Sequence, residues 1–207
     1  ETWIREDAAR AMMEDAKRAI ALIRRHRLGK YNIAPDANLP KTDRPRILIV
    51  DQTRGDMSVK LGYAKREWFL RMVTDAVAEN PDAEILLKTH PDVLAGSKKG
   101  YLTHEALPER VTTLTQDVNS LSLVQQVDKV YVVTSQVGFE ALMCNVPVVC
   151  YGVPWYAGWG LTVDRNPRIE KVKKRRGVAR SVESLFAAAY LKYARYIDPA
   201  TGKLGDI

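Results

Sequence analysis

Hydrophobic residues along this chain follow two different spacings, which alternate and predict two kinds of secondary structure. Short continuous apolar runs, rich in β-branched residues, are typical of strands buried in a parallel sheet. They occur at residues 46–51, 84–88, 110–114, 130–133 and 146–151. Elsewhere apolar residues recur every three or four positions, as in helices that bury one face. Such helices are expected at residues 6–27, 64–79, 119–126 and 181–196, with another between 134 and 146. This alternation predicts an α/β fold with a Rossmann-like parallel sheet and flanking helices.

Glycine and proline residues divide the chain into three segments. Gly29 stands where the first helix is expected to stop, and three prolines bound the polar stretch that ends at Pro45. We therefore predict an amphipathic helix and linker at residues 1–35, a Rossmann-like domain at 36–166, and a C-terminal part at 167–207.

The composition is that of a globular protein with a sizeable core. Of the 207 residues, 46% are hydrophobic, and no apolar run approaches the ~20 residues needed to span a bilayer. Cys144 and Cys150 have no metal-ligand spacing around them, which suits a reducing compartment and predicts a cytoplasmic protein. The chain opens with neither an initiator methionine nor a signal pattern, so we expect it to be a segment of a longer protein.

The net charge of +7 is concentrated in one short segment. From Arg165 to Arg180 the chain carries eight Lys or Arg residues and one acidic residue, Glu170. This basic segment is either a solvated loop or a contact with an anionic surface, such as phospholipid headgroups or a polyanionic glycan. Nucleic acid is the less favoured partner, because no aromatic residues for base stacking are interleaved with these charges.

The residues that follow the strand at 130–133 are candidates for a binding site. Thr134, Ser135 and Gln136 lie at the carboxyl end of that strand and at the start of a helix, which is where open parallel sheets bind ligands. The two hydroxyl residues either only cap the helix or take part in binding an anion such as phosphate.

Two other polar loops follow strands and should open on the same edge of the sheet. One contains Gln52 and Asp56, and the other contains Lys88 and His90. Alternate residues of a strand share a face, so Lys88 and His90 are expected to point the same way. With Ser135 they predict a donor-rich pocket suited to a phosphate and a carboxylate.

Two further features have two readings each. Glu140, in the first turns of the helix after Gln136, either complements the helix dipole or hydrogen-bonds a ribose hydroxyl. The glycine-rich loop with Trp155 and Trp159 either covers a base or sugar face or packs internally, and packing is the simpler expectation.

Several common sites can be set aside. No Gly-Lys-Ser or Gly-Lys-Thr ends a glycine-rich loop, and no Gly-x-Gly-x-x-Gly opens a helix. A serine hydrolase is not expected, because Val133 stands where a nucleophile elbow has its first glycine. His26, His90 and His104 are scattered without a carboxylate pattern, so we predict no metal site.

Three motifs carry a family resemblance. They are Lys88-Thr89-His90-Pro91, Ser135-Gln136-Val137-Gly138-Phe139-Glu140-Ala141-Leu142 and the aromatic loop Pro154-Trp155-Tyr156-Ala157-Gly158-Trp159-Gly160-Leu161-Thr162. Together they resemble capsule polysaccharide biosynthesis proteins of the KpsC/LipA type, which are retaining β-Kdo transferases that use CMP-Kdo. The resemblance covers residues 30–165 and implies the nucleotide-sugar-binding half of a GT-B glycosyltransferase.

The resemblance also implies roles for single residues. His90-Pro91 and Thr134-Ser135 are similar to motifs of bacterial GT-B sialyltransferases that hold the CMP phosphate and nearby ribose. This implies that His90 and Ser135 bind the phosphate and that Glu140 reaches the ribose. The remaining candidates, for the Kdo carboxylate or hydroxyls, are Lys88, Gln52 and Asp56. No cofactor or metal is implied.

One departure concerns the catalytic carboxylate. The resemblance implies an acidic motif of the Glu-Asp-Gly kind in an acceptor-binding domain, and no Glu-Asp-Gly occurs in this chain. We therefore expect residues 1–35 to continue from an N-terminal acceptor domain, and the chain alone to bind CMP-Kdo but to transfer little.

The implied reaction is transfer of Kdo to a lipid-linked poly-Kdo linker of a capsule. The protein is then expected in the cytoplasm, peripheral at the inner membrane through its basic segment. Two alternatives stay open. One is a non-catalytic module that binds anionic glycan or lipid, and the other is a domain that uses CMP-sialic acid.

Overall fold

Six parallel strands form the central sheet of the computed structural model, which describes residues 1–7, 9–30 and 32–205. In chain order the strands are β1 (Arg46–Val50), β2 (Glu84–Lys88), β3 (Val111–Leu114), β4 (Lys129–Val132), β5 (Val148–Cys150) and β6 (Val163–Asp164). Their order across the sheet is β3-β2-β1-β4-β5-β6. This is the Rossmann order, in which the winding reverses between β1 and β4. The predicted α/β, Rossmann-like architecture is confirmed.

Helices cover both faces of this sheet. They are α1 (Thr2–Arg5), α2 (Met13–His26), α3 (Met57–Leu61), α4 (Arg66–Glu79), α5 (Pro91–Leu94), α6 (Ser120–Val124), α7 (Val137–Met143), α8 (Ile169–Arg176) and α9 (Val182–Phe186). A 3₁₀ turn at Arg10–Met12 precedes α2, and a π-helical stretch at Ala187–Tyr193 continues α9. Near the C-terminus, β7 (Tyr196–Ile197) pairs antiparallel with β8 (Leu204–Gly205).

Alternate residues of the strands face two separate hydrophobic layers. Leu48 and Val50 of β1 belong to the layer formed with α2, α6, α7 and α9. Ile47 and Ile49 face the opposite layer, which is built on α4. Both faces of β1 are therefore buried, which explains its uninterrupted apolar run. The first layer also joins the three predicted segments, because it contains Ile4 and Leu185 as well as the sheet residues.

The first long helix differs from the prediction at both ends. It begins at Met13, not at residue 6, because the preceding residues form α1 and a separate 3₁₀ turn. It ends at His26, and its C-cap is Arg27, whose φ of 54° lies in the left-handed region, so Gly29 is not its cap. Instead the Gly29 N–H donates to Asn32 Oδ1 at 2.7 Å. Two residues of these predicted segments, Ala8 and Tyr31, lie outside the described residues.

The C-terminal part also differs from the prediction. The basic segment contains the helix α8, so it is not a loop. Ser181 caps α9 as its sequence position indicates, since its Oγ accepts from the Ser184 N–H at 3.2 Å. The predicted single helix at residues 181–196 is α-helical only to Phe186, and π-helical geometry follows.

Candidate functional site

A cavity of about 340 Å³ lies at the carboxyl ends of β1, β2 and β4. This is the point where the winding of the sheet reverses, which is the usual ligand position in such folds. The predicted site residues all contribute to its lining: Gln52, Asp56, Lys88, His90, Thr134, Ser135, Gln136 and Glu140. The three polar loops therefore meet in space, while their roles in binding stay predictions.

Gln52 and Thr134 join the loops after β1 and β4. The Gln52 Oε1 accepts from the Thr134 N–H at 2.9 Å, and its Nε2 donates to Asp56 Oδ2 at 3.0 Å. The hydroxyl oxygens of Ser58 and Thr134 lie 3.0 Å apart. These polar groups are bonded to one another, so they fix the shape of one wall of the cavity.

Ser135 and Gln136 stand before α7. Of the two roles considered for Thr134 and Ser135, capping holds only in part, because Gln136 occupies the N-cap position of α7 without a side-chain capping bond. The Ser135 Oγ instead accepts from the Val137 N–H at 3.3 Å. The Gln136 amide is engaged on both sides, since Nε2 donates to Tyr190 at 2.7 Å and Oε1 accepts from the Trp155 indole N–H at 3.2 Å. The hydroxyl of Ser135 is therefore the more suitable of the two for a ligand.

His90 follows β2 and begins α5. Its Nδ1 accepts from the Asp92 N–H at 3.1 Å, so the neutral ring carries its proton on Nε2. Partial burial lowers the pKa of His90, and Lys30 and Lys98 lower it further, while Asp92 opposes them. At neutral pH the imidazole is thus uncharged and offers an N–H donor.

Lys88 is the last residue of β2 and is almost fully buried. Its Nζ donates to the Val118 carbonyl at 3.0 Å and lies 3.6 Å from Asp117 Oδ1. Burial lowers the pKa of Lys88, and the carboxylates of Asp117 and Glu140 partly restore it. The ammonium group supplies positive charge to the floor of the cavity.

Glu140 is 6% exposed and lines the same cavity from α7. Among the described residues, its Oε2 is the one buried side-chain oxygen or nitrogen atom that has no hydrogen-bond partner. Burial raises the pKa of Glu140 to about 7, and the charge of Lys88 limits the rise. An orphaned carboxylate oxygen of this kind indicates a ligand with a hydroxyl or N–H donor.

Sequence reasoning missed several lining residues, among them Asp51. Its carboxylate accepts from the N–H groups of Gln52 at 2.8 Å and Leu102 at 3.1 Å, which fixes the loop that follows β2. Burial raises the pKa of Asp51 to about 6 against these hydrogen bonds. Its place directly after the apolar run of β1 was the available signal. The other lining residues that were not predicted include Gly29, Lys30, Asp117, Val118 and Ser120.

Packing, the simpler expectation for the aromatic loop, holds for Trp159, while a role of the loop in covering a base or sugar stays a prediction. Trp159 is fully buried, and its indole N–H donates to the Trp155 carbonyl at 3.0 Å, so it packs internally. Trp155 is half-buried and lines the cavity. Its ring lies 4.5 Å from that of Phe139 in α7, which fixes the loop against the site.

The basic segment is divided between internal contacts and solvent. Arg176 is buried and donates to the carbonyls of Pro154 at 2.7 Å and Ala157 at 2.6 Å. Arg165 pairs with Glu79 at 2.8 Å. The exposed cations of the segment are Arg165, Arg168, Lys171, Lys173, Lys174 and Arg175. Arg176 is therefore engaged inside the protein, while contact of the exposed cations with an anionic surface stays a prediction.

Two kinds of feature are absent from residues 1–7, 9–30 and 32–205. No helix in these ranges has both the length and the hydropathy for a membrane crossing. In the same ranges, no three His, Cys, Asp or Glu side chains are grouped so that they could hold a metal ion.

The sequence places the chain in a known family. Residues 13–196 match the family described as capsule polysaccharide biosynthesis protein. This chain belongs to that family. Among curated members, the capsule polysaccharide modification protein LipA of Neisseria meningitidis serogroup B is 48% identical over 201 residues. That match covers 94% of this chain and 29% of LipA. The lipopolysaccharide-processing protein LpsZ of Rhizobium meliloti is 38% identical, with 95% of this chain and 44% of LpsZ covered. The chain thus spans less than half the length of these relatives.

Solved structures of the family support the same placement. The β Kdo 2,4 transferase of Thermosulfurimonas dismutans KpsC superposes with a TM-score of 0.89 at 46% identity, over 95% of this chain and 60% of that one. The β Kdo 2,7 transferase of the same KpsC gives 0.70 at 32% identity, over 95% and 58%. The resemblance to the KpsC/LipA type is confirmed.

Proposed function

We propose that this chain binds the nucleotide-sugar donor of a capsule glycosyltransferase, and that the donor is CMP-Kdo. The observation that carries the proposal is the cavity where the winding of the sheet reverses, with His90, Ser135 and the unpartnered Glu140 in its lining. The similarity to two KpsC Kdo transferase structures supports the choice of donor.

The phosphate of CMP is assigned to the side of the cavity formed by His90 and Ser135. The His90 Nε2–H and the Ser135 hydroxyl are donors, and donors stabilise the negative charge that a departing CMP acquires. Because His90 is uncharged at neutral pH, we assign it hydrogen bonding and not ion pairing.

The ribose is assigned to Glu140. A ribose hydroxyl that donates to Oε2 gives this buried oxygen the partner it lacks within the described residues. The same bond favours the ionised carboxylate, so binding of the nucleotide sugar lowers the pKa of Glu140.

The sugar acid is assigned to the remaining wall, around Lys88, Gln52 and Asp56. Lys88 provides the positive charge for the Kdo carboxylate. Gln52 and Asp56 are bonded to each other at 3.0 Å. We therefore assign them mainly the role of shaping this wall, and less that of contacting the sugar directly.

Donor binding and catalysis are assigned to different domains of a longer protein. The matched relatives are longer than this chain, and no Glu-Asp-Gly occurs in it. We propose that the catalytic carboxylate and the main binding site for the lipid-linked poly-Kdo acceptor belong to a further domain, and that this chain alone transfers little Kdo.

Thermal unfolding with and without CMP-Kdo tests the donor site. The nucleotide sugar is expected to raise the Tm of the unmodified chain, and His90→Asn and Ser135→Ala are expected to remove the shift. Asparagine keeps an acceptor for the Asp92 N–H, so this variant removes the imidazole while preserving the start of α5.

The matched controls are His104→Ala and Ser97→Ala, which change exposed residues outside the cavity. They should keep the full shift. An equal shift in all four variants would refute the site assignment. A larger shift with CMP-sialic acid than with CMP-Kdo would favour a sialyltransferase domain.

The exposed cations of α8 favour a second candidate role. Lys171, Lys174 and Arg175 are exposed on this helix, next to Arg168. We propose that they bind an anionic membrane surface and hold the protein at the cytoplasmic face of the inner membrane. Binding to anionic lipid or glycan without any effect of CMP-sugars would instead support a non-catalytic module.

A further inference from the structure

A second cavity, of about 520 Å³, lies beside the donor cavity. It is formed by the N-terminal residues, the aromatic loop and the π-helical stretch after α9. Gln136 and Trp155 line both cavities, so one side chain layer separates the two spaces. The volume falls in the range of small-ligand sites, about 300–1,000 Å³.

The wall shared with the donor cavity is held in place by hydrogen bonds. Gln136 binds the hydroxyl of Tyr190 at 2.7 Å and the indole N–H of Trp155 at 3.2 Å. The Tyr190 ring stacks on Phe186 with centroids 4.5 Å apart and planes 1° apart. The polar ends of Trp155 and Tyr190 are already bonded to Gln136. A ligand at this wall would therefore contact mainly the apolar ring surfaces.

An ion pair also lines the second cavity. The buried Arg176 donates from Nε and Nη2 to Glu1 Oε1 at 3.0 and 2.8 Å, and Arg175 lies 3.3 Å from Glu1 Oε2. The carboxylate offsets the guanidinium charge, so an additional anion gains little here. The hydroxyl groups of a ligand can donate to the Glu1 carboxylate and accept from the Arg176 guanidinium. A lipid chain can do neither, so a hydroxyl-rich ligand suits this ion pair better.

The rim of the cavity is aromatic and open to solvent. Trp3 is 39% exposed and Tyr193 is 73% exposed, and their ring centroids lie 6.0 Å apart. Ala188 and Ala189 also line the cavity, and their small side chains take up little of its space. Flat aromatic faces with polar groups at one edge match the apolar face and the hydroxyl rim of a pyranose ring.

We propose that this second cavity is a subsite for the glycan acceptor, with a pyranose ring against the aromatic wall and its hydroxyls on Glu1 and Arg176. The inference rests on the proposed function, since a donor sugar in the first cavity needs an acceptor within reach. The shared wall of Gln136 and Trp155 provides this proximity. The chain would then hold part of both substrates.

Titration with a Kdo trisaccharide, followed by tryptophan fluorescence and by calorimetry, tests the subsite. Tyr193→Ala removes an aromatic ring from the rim, and Ala189→Leu fills the cavity. Each is expected to weaken trisaccharide binding at least about fivefold. The matched controls are Tyr63→Ala and Ala200→Leu, which change exposed residues that do not line either cavity and should bind as the unmodified chain does.

Parallel titrations with CMP separate this inference from the proposed function. Retained CMP binding with weakened trisaccharide binding in both cavity variants supports the subsite. Equal trisaccharide affinity in cavity variants and controls overturns it, as does the lack of trisaccharide binding by the unmodified chain. If CMP fails to bind while the trisaccharide pattern holds, the donor proposal fails and the glycan subsite is supported.

Discussion

Gln52 and Thr134 are joined across the sheet by reciprocal hydrogen bonds, although 82 positions separate them in the sequence. Gln52 Oε1 accepts from the Thr134 N–H at 2.9 Å, and Gln52 Nε2 lies 3.1 Å from Thr134 Oγ1. The bonds connect the ends of the adjacent strands β1 and β4. They fix the gap in which the donor cavity opens.

We expect Gln52→Leu to destabilise the chain by about 1–3 kcal/mol, because the buried N–H of Thr134 then loses its acceptor. Urea unfolding measures the change. Gln125→Leu is the matched control, since Gln125 is exposed and its Nε2 donates to the Arg24 carbonyl at 2.9 Å. A loss no larger in Gln52→Leu than in Gln125→Leu would contradict a structural role for the Gln52 and Thr134 pair.

The ionisation of Glu140 should make stability depend on pH. Burial raises its pKa from 4.5 to about 7 in the folded chain, so between these pH values the folded state holds a proton that the unfolded state has lost. The free energy of unfolding therefore falls as the pH rises from about 4.5 to 7. Above pH 7 the folded state bears the whole penalty of the buried, ionised Glu140.

Glu140→Gln is accordingly expected to stabilise the ligand-free chain at pH 8 by about 1–3 kcal/mol and to change little at pH 4.5. Urea unfolding at both pH values measures this, with the exposed Glu109→Gln as control. The same substitution should weaken CMP binding at pH 8. Stability that rises in parallel at both pH values would show that the buried charge is not the cause.

Gly138, in α7, is packed against Tyr156. A Cβ at this position would lie 2.8 Å from Tyr156 Cζ, and the Tyr156 hydroxyl, which donates to the Ser135 carbonyl, would be nearer still. We expect Gly138→Ala to cost about 1–3 kcal/mol of stability by overpacking. The penalty should shrink in a Tyr156→Phe background, because the nearest atom is then absent.

A double-mutant cycle by urea unfolding measures that coupling. Gly205→Ala is the control, since its Cβ would make only contacts of 3.5 Å or more. Identical costs of Gly138→Ala in the two backgrounds would mean that the hydroxyl of Tyr156 is not the obstacle.

The two kinds of cation in the basic segment should behave differently. Replacement of exposed Arg168, Lys171 and Lys174 by alanine is expected to reduce cosedimentation with vesicles containing phosphatidylserine, and to change stability by less than about 1 kcal/mol. Arg176→Ala should instead destabilise by about 3–5 kcal/mol, because Glu1 and two carbonyls lose a buried partner.

Neutral vesicles and added salt are the controls for the vesicle experiment, because screening weakens contacts between exposed charges and lipid headgroups. Cosedimentation of the triple variant at the level of the unmodified chain would exclude α8 as the membrane contact.

Much of the fold followed from local pattern. The strand β1 and the helix that ends at Glu79 were predicted almost to the residue. A buried strand gives a continuous apolar run, and a helix with one buried face gives apolar residues every three or four positions. The helix α8 was missed because six of its eight residues are charged and only Ile169 and Val172 are apolar. The end of α2 was misplaced because a left-handed arginine, Arg27, gives no signal of the kind that glycine gives.

The sequence by itself determined that three polar loops meet at one edge of a parallel sheet, because each loop directly follows a strand. Only the tertiary structure decided which of their side chains bond to one another and which can contact a ligand. Gln52, Asp56 and Thr134 bond one another, while Glu140 keeps an oxygen that has no partner among the described residues and interacts with the charge of the buried Lys88. The physical reason is that a hydrogen bond depends on which distant residues the packing brings within 3 Å, and a one-dimensional pattern does not contain that distance.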